Sequence, residues 1–80
     1  MAVKLVFLGR LADLAGAGQR EVAAPLDWSG LLDALPAALA REAPGDKVKL
    51  ALNGRVLGDK QALRAGEGDE VALLPPVSGG

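Results

Sequence analysis

The 80-residue chain has no cysteine and no histidine. Those two absences together remove disulfides, thiolate nucleophiles, zinc-finger spacings and imidazole acid–base chemistry. Aromatic residues are nearly as scarce, with Phe7 and Trp28 standing alone, so the core has to be built from Ala, Leu and Val. Charge of one sign is missing too: nine basic residues face ten acidic ones, interspersed along the chain. They form no basic stripe of the kind that neutralises nucleic-acid phosphate, and nucleic acid is not an expected partner. Apolar runs stay far short of the roughly 20 residues that span a bilayer, and the opening stretch, interrupted by Lys4, is too short for a signal peptide. A cytoplasmic protein with no membrane partner is expected. The length holds one small domain and no second core. Without disulfide or metal staples, such a domain depends on closely packed Leu and Val.

The patterns that are present read as a succession of short strands around one main helix. Residues 2–8 begin with alternation, Val3, Leu5 and Phe7 sharing one face, and Gly9 bounds the run. The same parity sets Val6 and Leu8 on the opposite face, where they meet water unless something covers them. Residues 10–18 read as a helical turn or loop closing on Gly16, Ala17 and Gly18, and residues 19–24 as a second strand around Val22, ended by Pro25. Asp27 is a candidate N-cap. Beyond it Trp28, Leu31, Leu32, Leu35 and Leu39 fall within one arc of a helical wheel. One helix over residues 28–42 is expected, kinked near Pro36 and stopped at Pro44 and Gly45. Val48, Leu50 and Leu52 alternate inward before the turn signal Asn53-Gly54, and residues 55–57 resume as a strand. Gln61, Ala62 and Leu63 read as a brief extended or helical piece, Gly66 to Asp69 as a loop, and residues 70–74 as the last strand. The expected class is α+β, a ubiquitin-like β-grasp in which a mixed sheet grips one main helix. Residues 1–74 form the domain and residues 75–80 an extended tail.

That tail, Pro75-Pro76-Val77-Ser78-Gly79-Gly80, is the most informative stretch. Two prolines cannot donate to a ladder and hold an extended segment that projects the chain end away from the sheet. Val77 is an isolated apolar anchor. The last two residues have no side chain and pass where a Cβ would not. At the end stands a carboxylate, inert to nucleophiles until activated, and no residue of the chain is equipped to activate it. The residues therefore describe a substrate and carrier: another enzyme spends ATP to form an acyl adenylate, and a nucleophile displaces AMP from an unhindered glycyl carbonyl. A loose chain end is the bland alternative, and the placement of this motif directly after the last strand of a β-grasp domain argues against it.

With those residues in view, the chain resembles the small, sulfur-carrying subunit of molybdopterin synthase, the MoaD family, within the MoaD/ThiS ubiquitin-like sulfur carriers. The resemblance runs through the opening strand, the leucine stripe, Gly68-Asp69-Glu70-Val71-Ala72 and the segment from Leu74 to Gly80. It implies that an adenylating enzyme related to the ubiquitin-activating enzymes attaches AMP to Gly80, and that a sulfurtransferase converts the carboxylate to a thiocarboxylate. It further implies that Pro75, Pro76, Val77, Ser78 and Gly79 thread into a large catalytic subunit, where Gly80 gives its sulfur to cyclic pyranopterin monophosphate. Two small and two large subunits form the working heterotetramer. The chain itself is then a non-catalytic carrier with no stably bound cofactor and no metal; ATP belongs to the activating enzyme. The family's apolar interface corresponds to Leu8, Val56 and Leu74, of which Leu8 already faces outward on parity. Leu73 and Leu74 are consecutive, so one of them does the same.

Other signals read as structure. Gly16-Ala17-Gly18 and Gly66-Glu67-Gly68 lack the third glycine and the strand-to-helix setting of a phosphate cradle and are turns. Glu67, Asp69 and Glu70 are a solvated run, Ser29 and Ser78 have no base beside them, and Trp28 caps the core at the helix start. Three alternatives remain open: a carrier for thiazole synthesis, a protein modifier joined through Gly80 to a lysine, and a plain β-grasp interaction module.

Overall fold

Strand-forming alternation, short glycine turns and one amphipathic stretch translate into eleven short elements among the described residues, 2–75 of the computed structural model. In chain order they are β1 (Ala2–Phe7), α1 (Arg10–Ala15), β2 (Gln19–Ala23), β3 (Leu26–Asp27), α2 (Trp28–Ala34), α3 (Ala37–Glu42), β4 (Lys49–Leu52), β5 (Arg55–Val56), a 3₁₀ turn (Lys60–Ala62), β6 (Arg64–Ala65) and β7 (Glu70–Leu74). Five strands make a mixed sheet in the order β2-β1-β7-β4-β5. The first and last strands lie parallel at its centre, with Phe7 opposite Leu73, and every other pairing is antiparallel.

Alternation is obeyed in β1 and β7 and broken in β4, where Leu50 and Ala51 are both buried. Val3, Leu5 and Phe7 of β1, Leu50 of β4 and Val71 and Leu73 of β7 are buried on one face. They pack with Leu11 of α1, Leu31 of α2 and Leu39 of α3 into a core whose only fully enclosed aromatic is Phe7. Asn53 (φ 50°) and Gly54 (φ 88°) make the two-residue hairpin between β4 and β5, both in the left-handed region that such a turn requires. Asp27 caps α2 as expected, its Oδ1 accepting from the Gly30 N–H at 2.8 Å, and Trp28 packs part-buried against the core beside it.

Three expectations are corrected. The single kinked helix over residues 28–42 is two helices, because Leu35 (ψ 148°) and Pro36 (ψ 152°) are both extended. Proline disfavours a helical residue before it and removes an N–H from the ladder. The leucine stripe survives the break because the two short helices each turn their leucines inward, with Leu35 buried at the junction. Residues 10–18 contain a true helix, α1, which ends where Gly16 adopts φ 75°. Finally, the strands do not all join one sheet: β3 and β6 pair antiparallel as a separate two-stranded ribbon.

Lys60 closes the far end of the helical layer. Its ammonium donates to the carbonyls of Ala43 (2.5 Å), Gly45 (2.6 Å) and Val48 (3.0 Å). Three carbonyls left open by the end of α3 and the following loop thus share one donor. Burial of that ammonium and the nearby charge of Lys49 hold Lys60 below the ordinary lysine value, opposed by Asp46.

Candidate functional site

The face of the sheet opposite the helices is apolar at its centre. Cross-strand partners share a face, so the register sets Val6, Ala72, Ala51 and Val56 in one row across β1, β7, β4 and β5. Continuing the parallel register by one residue puts Leu8 beside Leu74, with Lys49 on the other side of Leu74. Leu8 is 40% exposed and Val56 63% exposed, whereas Leu73, one residue before the half-buried Leu74, is fully buried. The three positions singled out from the sequence, Leu8, Val56 and Leu74, therefore lie on one side of one sheet. Val6 belongs with them, as strand parity indicates. Ala51 and Ala72, which complete the row, are legible only from the register, because nothing local to an alanine tells which strand lies beside it.

The root of the tail meets this face at one end. Because β1 and β7 run parallel, they finish together: the Leu8 N–H donates to the Leu73 carbonyl at 3.1 Å, and Pro75 comes two residues later. Gly9 (φ 57°) lies beneath the ring of Pro75, so close that a Cβ on Gly9 would stand 3.2 Å from Pro75 Cγ. In sequence Gly9 marks only the end of a strand; its contact with a residue 66 positions later is visible only in the fold. Pro76, Val77, Ser78, Gly79 and Gly80 lie outside the described residues.

The opposite end of β7 is fixed by a polar network. The Asp69 carboxylate accepts from the Gly66 N–H at 2.8 Å and from Asn53 Nδ2 at 3.1 Å, while Asn53 Oδ1 accepts from the Glu70 N–H at 2.9 Å. The Gly66 N–H bond first, and the Asn53 bond second, hold the Asp69 carboxyl below its ordinary value. Gly68, at φ 84°, supplies the turn. Glycine followed by aspartate is thus the device that starts the last strand and ties it to the β4–β5 hairpin. Glu67, Asp69 and Glu70 do not gather: among the described residues no cluster of three or more acidic side chains is placed to hold a metal ion. No described helix is long and apolar enough to cross a membrane.

Comparison with known proteins agrees with this architecture. The model of the ThiS family matches residues 5–80. Among solved structures, the chain is similar to small archaeal modifier protein 1 of Haloferax volcanii, at 29% identity over 95% of this chain and 98% of that one, with a TM-score of 0.67. It is similar also to a chain in the complex of subunits 1 and 2 of molybdopterin-converting factor from Helicobacter pylori, at 27% identity over the whole of both chains and a TM-score of 0.72. Small archaeal modifier protein 1 of Methanosarcina acetivorans, at 23% identity over 99% of this chain and 96% of that one, shares the fold with a TM-score of 0.75. Among curated proteins none matches. The fold is the ubiquitin-like β-grasp.

Proposed function

The chain belongs to the ThiS family, a sulfur carrier or ubiquitin-like modifier in kind, and from that premise we propose that it is the small, sulfur-carrying subunit of molybdopterin synthase. The reading rests on the coincidence, at one end of β1 and β7, of an uncovered apolar face and the root of a tail whose sequence runs to Gly-Gly. An apolar patch left open on a small domain is a docking surface. Here, docking through Leu8, Val56 and Leu74 delivers the segment beyond Pro75 into a partner's active site.

Gly80 is the reacting residue. Its carboxylate attacks the α-phosphate of ATP in the activating enzyme, pyrophosphate leaves, and the acyl adenylate forms. Sulfur at the oxidation level of sulfide, delivered by a sulfurtransferase with a thiol reductant, then displaces AMP, leaving a thiocarboxylate. In the large subunit that sulfur attaches to cyclic pyranopterin monophosphate, water cleaves the glycyl–sulfur bond, and Gly80 returns as a carboxylate. The chain contributes no acid, base or nucleophilic side chain to these steps; it supplies a tether, a docking face and a terminus without a Cβ. The Helicobacter pylori relative is solved with its partner subunit, which supports a large-subunit partner for this chain.

The test is an intact mass. Incubation with an adenylating enzyme, ATP and a sulfur source should replace one oxygen by sulfur at Gly80, and the loaded chain should then convert pyranopterin precursor to dithiolene in the presence of the large subunit. An unchanged mass refutes the carrier reading. The likeness to the Haloferax volcanii modifier favours a second reading, in which the Gly80 adenylate is captured by a lysine of a target protein. An isopeptide-linked product in place of the thiocarboxylate would establish it.

A further inference from the structure

We propose that the outer edge of β2 is a second docking site, which takes one extended strand of a partner protein carrying the order apolar–basic–acidic. β2 ends the five-stranded sheet, and only β1 pairs with it. The Phe7 N–H donates to the Gly18 carbonyl at 2.9 Å. Antiparallel pairs alternate between bonded and unbonded, so in the observed register Val22 and Arg20 exchange bonds with Val3 and Leu5, and Gln19, Glu21 and Ala23 turn their N–H and C=O groups away from β1. These groups stand in a row at the exposed edge, open to an added strand.

The side chains on this edge are also unmatched. Across the outer face, Glu70, Lys4 and Glu21 occupy one row, with alternating sign. Lys4 leans to Glu70 at 3.9 Å, and Glu21 makes no ion pair among the described residues. On the helical side of the same strand, Arg20 makes no ion pair among them either and reaches only the Ala34 carbonyl, at 3.3 Å. The next strand of the ladder therefore fits best with a basic residue opposite Glu21, an acidic one opposite Arg20 and an apolar one opposite the part-buried Val22. For an antiparallel partner that is apolar–basic–acidic in chain order.

The same edge is ill suited to a second copy of this chain. Two β2 edges related by a twofold axis keep their faces, so only registers of one parity are open to them. A register centred on Glu21 sets Glu21 against Glu21, and one centred on Arg20 sets Arg20 against Arg20. A register centred on Val22 brings Gln19 against Pro25, which has no N–H to give, and registers centred on Gln19 or Ala23 pair only that one residue of β2 with itself. The edge is complementary to a strand that is not its own.

The experiment is an amide titration of the ¹⁵N-labelled full chain with the capped peptide Thr-Val-Lys-Glu-Val-Thr, up to about 2 mM, and with its charge-exchanged form Thr-Val-Glu-Lys-Val-Thr. The proposal expects saturable downfield shifts and slowed exchange at the Gln19, Glu21 and Ala23 amides with the first peptide. The exchanged peptide should bind roughly threefold to tenfold more weakly. Glu21→Lys and Arg20→Glu together should reverse that preference. Absence of saturable shifts, shifts centred on Leu8 and Val56, equal binding of both peptides by the unaltered chain, or self-association through β2 would each overturn it. The two peptides decide the matter on the unaltered chain even if the variant fails to fold.

Discussion

The two faces of the central sheet are made by the same strands and from the same kinds of residue, yet only one of them is covered. On the helical face Val3, Leu5, Leu50, Val71 and Leu73 are completely withdrawn from water. On the other face Val6, Leu8, Val56 and Leu74 are as apolar but remain half-buried or exposed. Folding alone asks for one apolar face per antiparallel strand and leaves the other polar. In the parallel central pair the second face is charged at one end, where Lys4 meets Glu70, and apolar from Val6 and Ala72 to Leu8 and Leu74, and that bare apolar half is what the proposed docking uses. Leu73 and Leu74 state the contrast within one peptide unit.

Removing Gly80 should produce the largest effect and the cleanest separation. Sulfur transfer is expected to fall to background while thermal unfolding is unchanged, since the buried residues among those described run from Val3 to Leu73. A truncated chain that still accepts sulfur, measured by intact mass, would break the assignment. Next comes the adjacent pair. Leu73→Ala opens a cavity in a fully buried site and should cost about 2–5 kcal/mol of stability in denaturant titration. Leu74→Ala should cost less than about 1 kcal/mol there and act instead on affinity for the large subunit. If both variants lose equal stability, the two faces are one core and the contrast fails.

Leu8→Asp sharpens the comparison further by placing a charge at the end of the open face where the tail begins. Burying that carboxylate unpaired under a partner should weaken association by at least tenfold, about 1.4 kcal/mol, measured by calorimetry. The melting temperature should stay within a few degrees of the unaltered chain. A collapse of stability would make Leu8 a core residue.

Much of this division is legible before any coordinates. Strand parity separates Leu8 from Phe7, and Asn53-Gly54 announces its hairpin because few other pairs accept two positive φ angles. Asp27 announces a helix start because its carboxylate meets free N–H groups. What stays hidden is set by distant parts of the chain. The neighbours of β7 depend on loops that bring residues 4 and 70 together. The ribbon of β3 and β6 has two residues per strand, too few for any period to show. The break at Pro36 is masked by its own solution, since a leucine stripe in phase across residues 28–39 suits two short helices as well as one long helix. The proposed reacting end of the tail lies outside the described residues, and its reading rests on residue types alone, because the proposed chemistry depends on the absence of side chains.

The smallest expected effect concerns the polar end of β7, at the far end from the tail, where nothing apolar is at stake. Asp69 is held below its ordinary carboxyl value by the Gly66 N–H and by Asn53. A group whose pKa is lower in the folded state contributes stability above its unfolded value, near 3.9, and loses it as pH falls through the folded value. Asp69→Asn removes the charge and with it that pH-dependent contribution. The variant should therefore melt below the unaltered chain at neutral pH, and the gap should narrow as the pH drops below about 4. Because the network anchors β7 at its start and leaves Leu8 and Leu74 untouched, affinity for the large subunit should stay the same at pH 7. A gap that is constant with pH would show that Asp69 acts by shape alone. A loss of partner affinity would show that the two ends of the strand are coupled, and that the open face depends on more than the residues that line it.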